Sequence, residues 1–341
     1  MVRGGPPTFA VVPGSQVRDV LKSSQRRVVS LVEETYLAHG AGTTVNPPSY
    51  FLRFPDRPSS RIIALPASLG GAGVDGIKWI SSFPENVGSG LPRASAVLIL
   101  NDPRTGYPIA CLEASVISAV RTAASAALAA DWLTRQRGRP ATVGFIGAGL
   151  IARFTHTYLV GAGWQFDGVG VHDLVDSHAH AFNAYLNSAD TAPVTVHESA
   201  EELIRRCDLL VFATVAGTPH VLDPAWFEHG PTVLHLSLRD LAPEVILSAT
   251  NVVDDVEHCL KADTSVHLTE QATGNRDFLA GTLNDVMNGL VPVPEGRTTV
   301  FSPFGLGVLD LAVGKFVYDE ITAAGELAVV EDFFSELRRY G

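Results

Sequence analysis

A chain of 341 residues is long for a single hydrophobic core, so two domains are expected. Hydrophobic residues make up 46% and charged residues 18%, which excludes a disordered chain and leans toward buried parallel strands or an oligomer interface. With 25 Lys and Arg against 36 Asp and Glu the formal net charge is −11, which excludes nucleic acid as the expected partner because phosphate binding needs a concentrated basic surface.

The N-terminal MVRGGPPTFAVVPGSQ has no apolar core of signal-peptide length, and no later run approaches the ~20 apolar residues of a membrane span, so a cytoplasmic location and no membrane partner are expected. Ser24 to His39 reads as a surface helix capped by Ser24 and stopped by Gly40. The runs YFLRF, RIIALPA, DGIKWISS and ASAVLILND, divided by DRPSS, GGAG and FPENVGSG, predict a mostly antiparallel or mixed sheet. Pro103 and Gly106 punctuate a hairpin that leads into an Ala-rich helix from Val116 to about Arg135. Glu113, beside it, is given no role.

From Ala141 the pattern becomes alternating β and α units, the mark of a parallel sheet covered by helices. ATVGFIG is its first strand; others are expected at Asp167–Val171, Pro193–His197, Asp208–Thr214, Thr232–Leu236 and Asn251–Asp254. Five or six strands suffice for a dinucleotide fold. The closing GLGVLDLAVGKFVYDEITAAG has helical periodicity and is expected to return to the first domain. Cys111, Cys207 and Cys259 lack CxxC spacing and read as buried fillers; His178 and His180 lack a third ligand, so no metal is expected.

Gly147-Ala148-Gly149-Leu150-Ile151-Ala152 is a GxGxxA that follows an apolar strand and opens a helix. Gly147 permits the tight turn, Gly149 lets a pyrophosphate reach the backbone, and Ala152 lets helix and strand pack closely. About twenty residues on, where an acid binds the adenosine ribose, stands Asp173; a carboxylate there repels a 2′-phosphate and favours NAD over NADP. Thr214 and Val215 in ATVAG, with Ser237 in LSLRD, are expected at carboxyl ends of strands, lining the cofactor crevice. Arg53, Lys78, Arg93 and Arg121 lie in or beside apolar segments of the first domain, where a cation needs an anion, either a substrate's or the protein's own.

The order of Arg53, LPAS, GIKWIS, GLPRASAVLILND, TGYP, RTAASAALAA, GFIGAGLIA, LSLRD and GVLDLA resembles the ornithine cyclodeaminase and μ-crystallin family over roughly residues 45 to 320. The resemblance implies an α/β chain in which a Rossmann NAD-binding domain (126–305) is inserted into a mixed α+β substrate-binding and dimerisation domain (1–125 plus 306–341). It implies a homodimer, with Arg53, Lys78 and Arg121 around the substrate carboxylate and Asp240 as acid/base. It also implies an acidic residue where Ala64 stands and a threonine where Arg93 stands if the substrate were ornithine. That difference points to a substrate with more carboxylate and less ammonium. RIIALPASLGG, GIKWISSFPENV and PRASAVLILNDPRTGYPIACLEAS are similar to the group of N-(2-amino-2-carboxyethyl)-L-glutamate dehydrogenases of siderophore and peptide-antibiotic pathways.

What this implies is oxidation of the glutamyl Cα by NAD and hydrolysis of the imine to L-2,3-diaminopropionate and 2-oxoglutarate. Arg53 and Arg121 would clamp carboxylates, Arg93 would select the extra one, and Lys78 and Asp240 would be catalytic, Lys78 also touching substrate. A lyase turning ornithine into proline and ammonia, a related amino-acid or imine dehydrogenase, and a ligand-binding protein of the μ-crystallin type are the other readings. His220 and His235 flank predicted strand ends near the cofactor side, where either could touch substrate but loop solvation is the expected reading, and Asp310 reads as capping or packing rather than catalysing.

Overall fold

Runs of β-branched and aromatic residues pair into two sheets in the computed structural model, which describes residues 7–188 and 192–335. The chain divides into two compact units, Met1–Arg121 with Leu306–Gly341, and Thr122–Gly305. The opening residues, read above for a signal peptide, lie in part outside the described residues.

In the first unit the strands are β1 (Phe9–Val12), β2 (Tyr50–Phe54), β3 (Arg57–Ser68), β4 (Asp75–Ser82), β5 (Ala94–Asn101) and β6 (Pro108–Glu113). With a last strand, Ala328–Val330, they form a seven-stranded sheet in the order Ala328–Val330, β1, β6, β5, β4, β3, β2. Among the described residues only the β1–β6 pairing of this sheet is parallel, so the expected mixed sheet is observed. DRPSS is a correction: apart from Asp56 it belongs to β3, because Arg57 already pairs with Phe54.

The helices α1 (Gly14–Leu21) and α2 (Gln25–Gly40) precede β2. The sequence reading missed β1 and α1, short elements lying directly behind the Pro-rich start. It also assigned Ser24 a capping role that the structure corrects. With α1 ending just before it, Ser24 donates its hydroxyl to Val20 O at 2.6 Å and makes no side-chain cap, while Gly40 is the last helical residue rather than a stop. Helix α2 buries Val28, Val32, Thr35 and Tyr36.

The helix α3 (Ser115–Thr134) begins where Glu113 accepts the Ser115 backbone N–H at 2.8 Å, an N-terminal anchor for a residue that had no expected role. Among the described residues it is the one helix long and apolar enough to cross a membrane, which corrects the expectation that no run approaches that length; 72% of the stretch is buried inside the protein.

Side chains alternate across a sheet, and residues directly opposite in antiparallel strands share a face. Lys78 pairs with Leu65 and Leu98, so Gly76, Lys78, Leu65, Ala67, Leu98 and Leu100 share one face. The helix Gly307–Ala323 covers that face, its Leu311 beside Gly76 and its Gly314 against Leu98. On the opposite face stand Tyr50, Leu52, Trp79 and Val97, each at least 40% exposed.

Among the described residues the second unit holds eight strands: β7 (Thr142–Ile146), β8 (Gly168–His172), β9 (Val194–Val196), β10 (Leu209–Phe212), β11 (Thr232–His235), β12 (Thr250–Val253), β13 (Leu279–Thr282) and β14 (Thr299–Ser302). Their order is β13-β12-β14-β11-β10-β7-β8-β9, all parallel. Beyond the strands expected from sequence are β13 and β14, four residues each and too short for periodicity to mark. The chain leaves β7 for β8 and β9 on one side, then returns to β10 on the other. The carboxyl ends of β7 and β10 therefore form the crevice at which such sheets bind ligands.

Gly76 permits the close approach of the Gly307–Ala323 helix. A Cβ there would lie 2.1 Å from Ile99 O and 2.9 Å from Leu311 Cδ2. Gly76→Ala should destabilise the protein by about 1–3 kcal/mol through this overpacking, visible as a lowered midpoint in thermal unfolding. An unchanged midpoint would contradict the packing described.

Candidate active site

Burying a lysine is costly unless an anion accompanies it. Lys78 is 2% exposed, and its Nζ lies 2.6 Å from Asp310 Oδ2 and 3.2 Å from Ser118 Oγ. Arg121, on α3, directs Nε to the other oxygen of Asp310 at 3.2 Å. Asp310 itself has no exposure. Its expected capping or packing role is therefore corrected: it is the protein's own anion for two of the four cations picked out in the sequence. One carboxylate between two cations leaves the trio with a formal charge of +1 while Lys78 is protonated. Burial draws the Lys78 pKa down to about 8 and Arg121 pushes the same way, against the opposing pull of Asp310.

Arg53 and Arg93 lie elsewhere on the same sheet face. Arg53 is exposed, its guanidinium 5.1 Å from the Phe51 ring centroid, and it pairs in register with Arg61. Arg61 pairs with Ser82, and Arg93 donates to Ser82 Oγ at 2.7 Å. Arg53, Arg61 and Arg93 thus form a row at one end of the face, four residues along β4 from Lys78, about 13 Å at strand spacing. Arg61 was missed in the sequence; its alternation with Ile63 and Leu65 was the available signal.

Ala64 needs a correction as well. It pairs with Trp79 and lies on the opposite face, so the residue level with Lys78 is Leu65. Its lack of charge therefore says nothing about the cationic face. Among the described residues no strand position on that face carries a carboxylate: the side chains are Phe51, Arg53, Arg61, Ile63, Leu65, Ala67, Lys78, Ile80, Ser82 and their apolar neighbours in β5.

In the second unit the turn after β7 is built for an anion. Gly147 has φ +92, and a Cβ there would lie 2.7 Å from Ala213 O, so only glycine fits. Gly149 caps helix α4 (Leu150–Gly161) without a side-chain hydrogen bond, no acid lies in the first turn, and nothing stands within 4 Å of a Cβ built on Gly149. Leu150 is half-exposed, Ile151 partly buried, and Ala152 fully buried. Ala148 donates its N–H to Asp173 Oδ2 at 2.9 Å, and Asp173 Oδ1 accepts from Val175 N at 2.9 Å. An open helix N-terminus with a carboxylate at the end of the next strand fits the pyrophosphate and ribose of a dinucleotide.

Asp240 follows β11 and has no exposure. Its Oδ1 accepts from Thr214 Oγ1 and lies 3.0 Å from His220 Nε2; its Oδ2 accepts from Ser237 Oγ and lies 3.3 Å from His235 Nε2. Burial favours its neutral form, but the hydrogen bonds from His220 and His235, with the charge on His235 and the Ser237 hydroxyl, hold it well below the usual carboxylate range. His235, at the end of β11 and 1% exposed, is corrected from a solvated loop residue to a partner of Asp240, whereas His220 is the exposed loop residue expected and also lies against Asp240. Val215 is 73% exposed and touches none of this cluster's hydrogen bonds.

Residues 14–325 match the family model described as the ornithine cyclodeaminase/mu-crystallin family. The N-((2S)-2-amino-2-carboxyethyl)-L-glutamate dehydrogenase of Staphylococcus aureus is 30% identical over 305 residues, 86% of this chain and 89% of its own. The structure of Thermococcus litoralis Delta(1)-pyrroline-2-carboxylate reductase, in complex with NADH and L-proline, superposes with a TM-score of 0.87 at 25% identity, covering 94% of this chain and all of that one. An archaeal alanine dehydrogenase, a dimer with bound NAD, gives a TM-score of 0.84 at 28% identity, covering 96% and 100%.

Asp310→Asn should destabilise the protein by about 3–5 kcal/mol, because it leaves two buried cations without their anion; denaturant unfolding measures this. The trio should also respond to pH. The folded chain gives up the Lys78 proton near pH 8, whereas the unfolded chain holds it to the ordinary 10.5. Between these values this group's contribution to stability rises with pH, while the affinity for a carboxylate ligand falls. Calorimetric titration with a small dicarboxylate should show binding weakening above pH 8; a pH-independent affinity would contradict the assignment.

Proposed function

The chain belongs to the ornithine cyclodeaminase/mu-crystallin family, and from that premise we propose that it oxidises N-(2-amino-2-carboxyethyl)-L-glutamate to L-2,3-diaminopropionate and 2-oxoglutarate. At the coarser level it is an NAD-dependent oxidoreductase acting on the CH–NH group of an amino-acid substrate. The observation that carries the substrate reading is the placing of two cationic loci, the Lys78–Asp310–Arg121 trio and the Arg53–Arg61–Arg93 row, on one sheet face. A substrate with three carboxylates matches such a face, and an arginine fork recognises each carboxylate better than a point charge does.

NAD, when bound, supplies the acceptor for the hydride leaving the substrate Cα. Gly147, Ala148, Gly149, Leu150 and Ile151 would hold its pyrophosphate, Asp173 its ribose, and Thr214, Val215 and Ser237 would border it. The chain's other residues bind and orient the amine. Lys78 and Arg121 hold one carboxylate against the +1 trio, and Arg53 and Arg93 take the carboxylates farther along. Asp240 keeps a fixed negative charge in the cluster at the carboxyl end of β11. Ornithine suits the face poorly, since its side-chain ammonium would meet arginines and Leu65 with no carboxylate among those strand positions.

Working as a cytoplasmic homodimer belongs to the same proposal. The exposed apolar face of Tyr50, Leu52, Trp79 and Val97 supports a second copy as its cover, and the archaeal alanine dehydrogenase relative is a dimer.

The test is to mix purified protein, NAD and the conjugate and to follow NADH alongside mass spectrometry of the products. Diaminopropionate and 2-oxoglutarate are expected, and Arg93→Ala should raise KM for the conjugate about 10- to 100-fold, the loss of one charge-assisted hydrogen bond, with little change in kcat. NADH from alanine but not from the conjugate would reject the substrate. Proline and ammonia from ornithine would reject the net oxidation.

A further inference from the structure

On the reading above that Asp173 meets the adenosine ribose of NAD, whatever stands beside that carboxylate decides whether a 2′-phosphate is tolerated there. We propose that His178 is a cofactor-specificity residue: protonated, it offsets Asp173 and admits NADP, so that the preference for NAD weakens as the pH falls.

Asp173 is held where an incoming phosphate would meet it. Its Oδ2 accepts the Ala148 N–H and its Oδ1 the Val175 N–H, both at 2.9 Å, and only 17% of its side chain is exposed. A carboxylate anchored through both oxygens is a fixed charge that repels a phosphate wherever it is ionised. Tolerance must therefore come from a neighbouring cation. The stretch His172 to His180 reads HDLVDSHAH and holds no lysine or arginine. A positive charge there has to come from a histidine, the side chain that gains its charge between pH 8 and pH 5.

Three histidines stand in that stretch, and the structure separates them. His172 Nδ1 lies 3.1 Å from His197 O, and His180 Nδ1 lies 2.8 Å from Asp176 O, so each of these rings is committed to a backbone carbonyl. His178 Nδ1 lies 3.6 Å from Asp173 Oδ1, and 58% of its side chain is exposed. Among the described residues no hydrogen bond fixes the His178 ring.

The backbone keeps His178 beside the carboxylate. His178 is the third residue of the helix α5 (Asp176–Ser188). Val175, which donates to Asp173, accepts the His178 N–H at 2.8 Å, so carboxylate, turn and imidazole form one chain of contacts. Protonated, the ring brings a positive charge to Asp173 and has an Nε2–H left to donate to a phosphate oxygen. Asp176, in the first turn of α5, adds a negative charge to the same turn. The helix packs on β8 and β9, which bring His172, His197 and Glu198 at their carboxyl ends, and α4 brings Arg153, 5.8 Å from the Tyr185 ring centroid of α5. All of these lie in the second unit.

The sign follows from the charges. With a neutral imidazole, Asp173 stands uncompensated and a 2′-phosphate is excluded; with an imidazolium, the repulsion is offset. Exposed charge pairs are weak, so the effect is a few-fold change in selectivity.

Fluorescence titration of the purified protein with NADH and with NADPH, at pH 8 and at pH 6, reads both affinities without turnover. A phosphate monoester itself titrates near about pH 6, so wild type is compared with His178→Ala and His178→Arg. On going to pH 6 the NADPH-to-NADH affinity ratio should rise about 3- to 10-fold more in wild type than in His178→Ala. In His178→Arg the ratio at pH 8 should already exceed that of wild type by a similar factor, and NADH affinity should stay within about threefold in both variants. An equal rise in wild type and His178→Ala would overturn the proposal and leave the dinucleotide site standing. Loss of NADH affinity in His178→Ala would overturn it too, by making the residue part of the NAD site itself. If wild type binds NADH at neither pH, the dinucleotide reading falls and this inference with it.

Discussion

The first unit is organised around one buried carboxylate shared by two buried cations. Asp310 neutralises one charge of Lys78 and Arg121 and leaves the other unmatched, in surroundings where an unmatched charge is expensive. On the proposed function, that residual charge is what a substrate carboxylate would meet. It depends on the Gly307–Ala323 helix lying close over β4, which Gly76 allows, and on α3 carrying Arg121 to the same carboxylate.

The second unit contains another buried aspartate with the opposite use. Asp310 faces the side chains of a lysine and an arginine, so it fixes an electrostatic field. Asp240 faces two hydroxyls and two imidazoles, which surround its carboxylate with hydrogen-bonding groups. The same residue type thus serves as counter-ion in one unit and as the centre of a hydrogen-bonded cluster in the other. The difference lies wholly in the donors each carboxylate meets.

Local signals made much of this legible in the sequence. The GxGxxA turn, the spacing to Asp173 and the β/α alternation from Ala141 depend on contiguous residues, and the structure forms those elements where the pattern placed them. The cations in apolar segments were visible for the same reason. Their partner was not: Asp310 lies 232 residues from Lys78 and 189 from Arg121, and no local pattern carries a contact of that range. Strand register was equally hidden. Ala64 reads as a site position in one dimension, but alternation across β3 turns it away and brings Arg61 and Leu65 onto the Lys78 face. His235 read as a loop residue because its burial at the end of β11 and its nearness to Asp240 become visible only once β10 and β11 are paired.

The central claim is that the trio in the first unit grips a carboxylate. A crystal structure of the protein soaked with 2-oxoglutarate tests it most directly. The account predicts a ligand carboxylate within hydrogen-bond reach of Lys78 Nζ and the Arg121 guanidinium, with Asp310 still holding both. Ligand density away from these side chains, or Asp310 turned off its two cations, would contradict it.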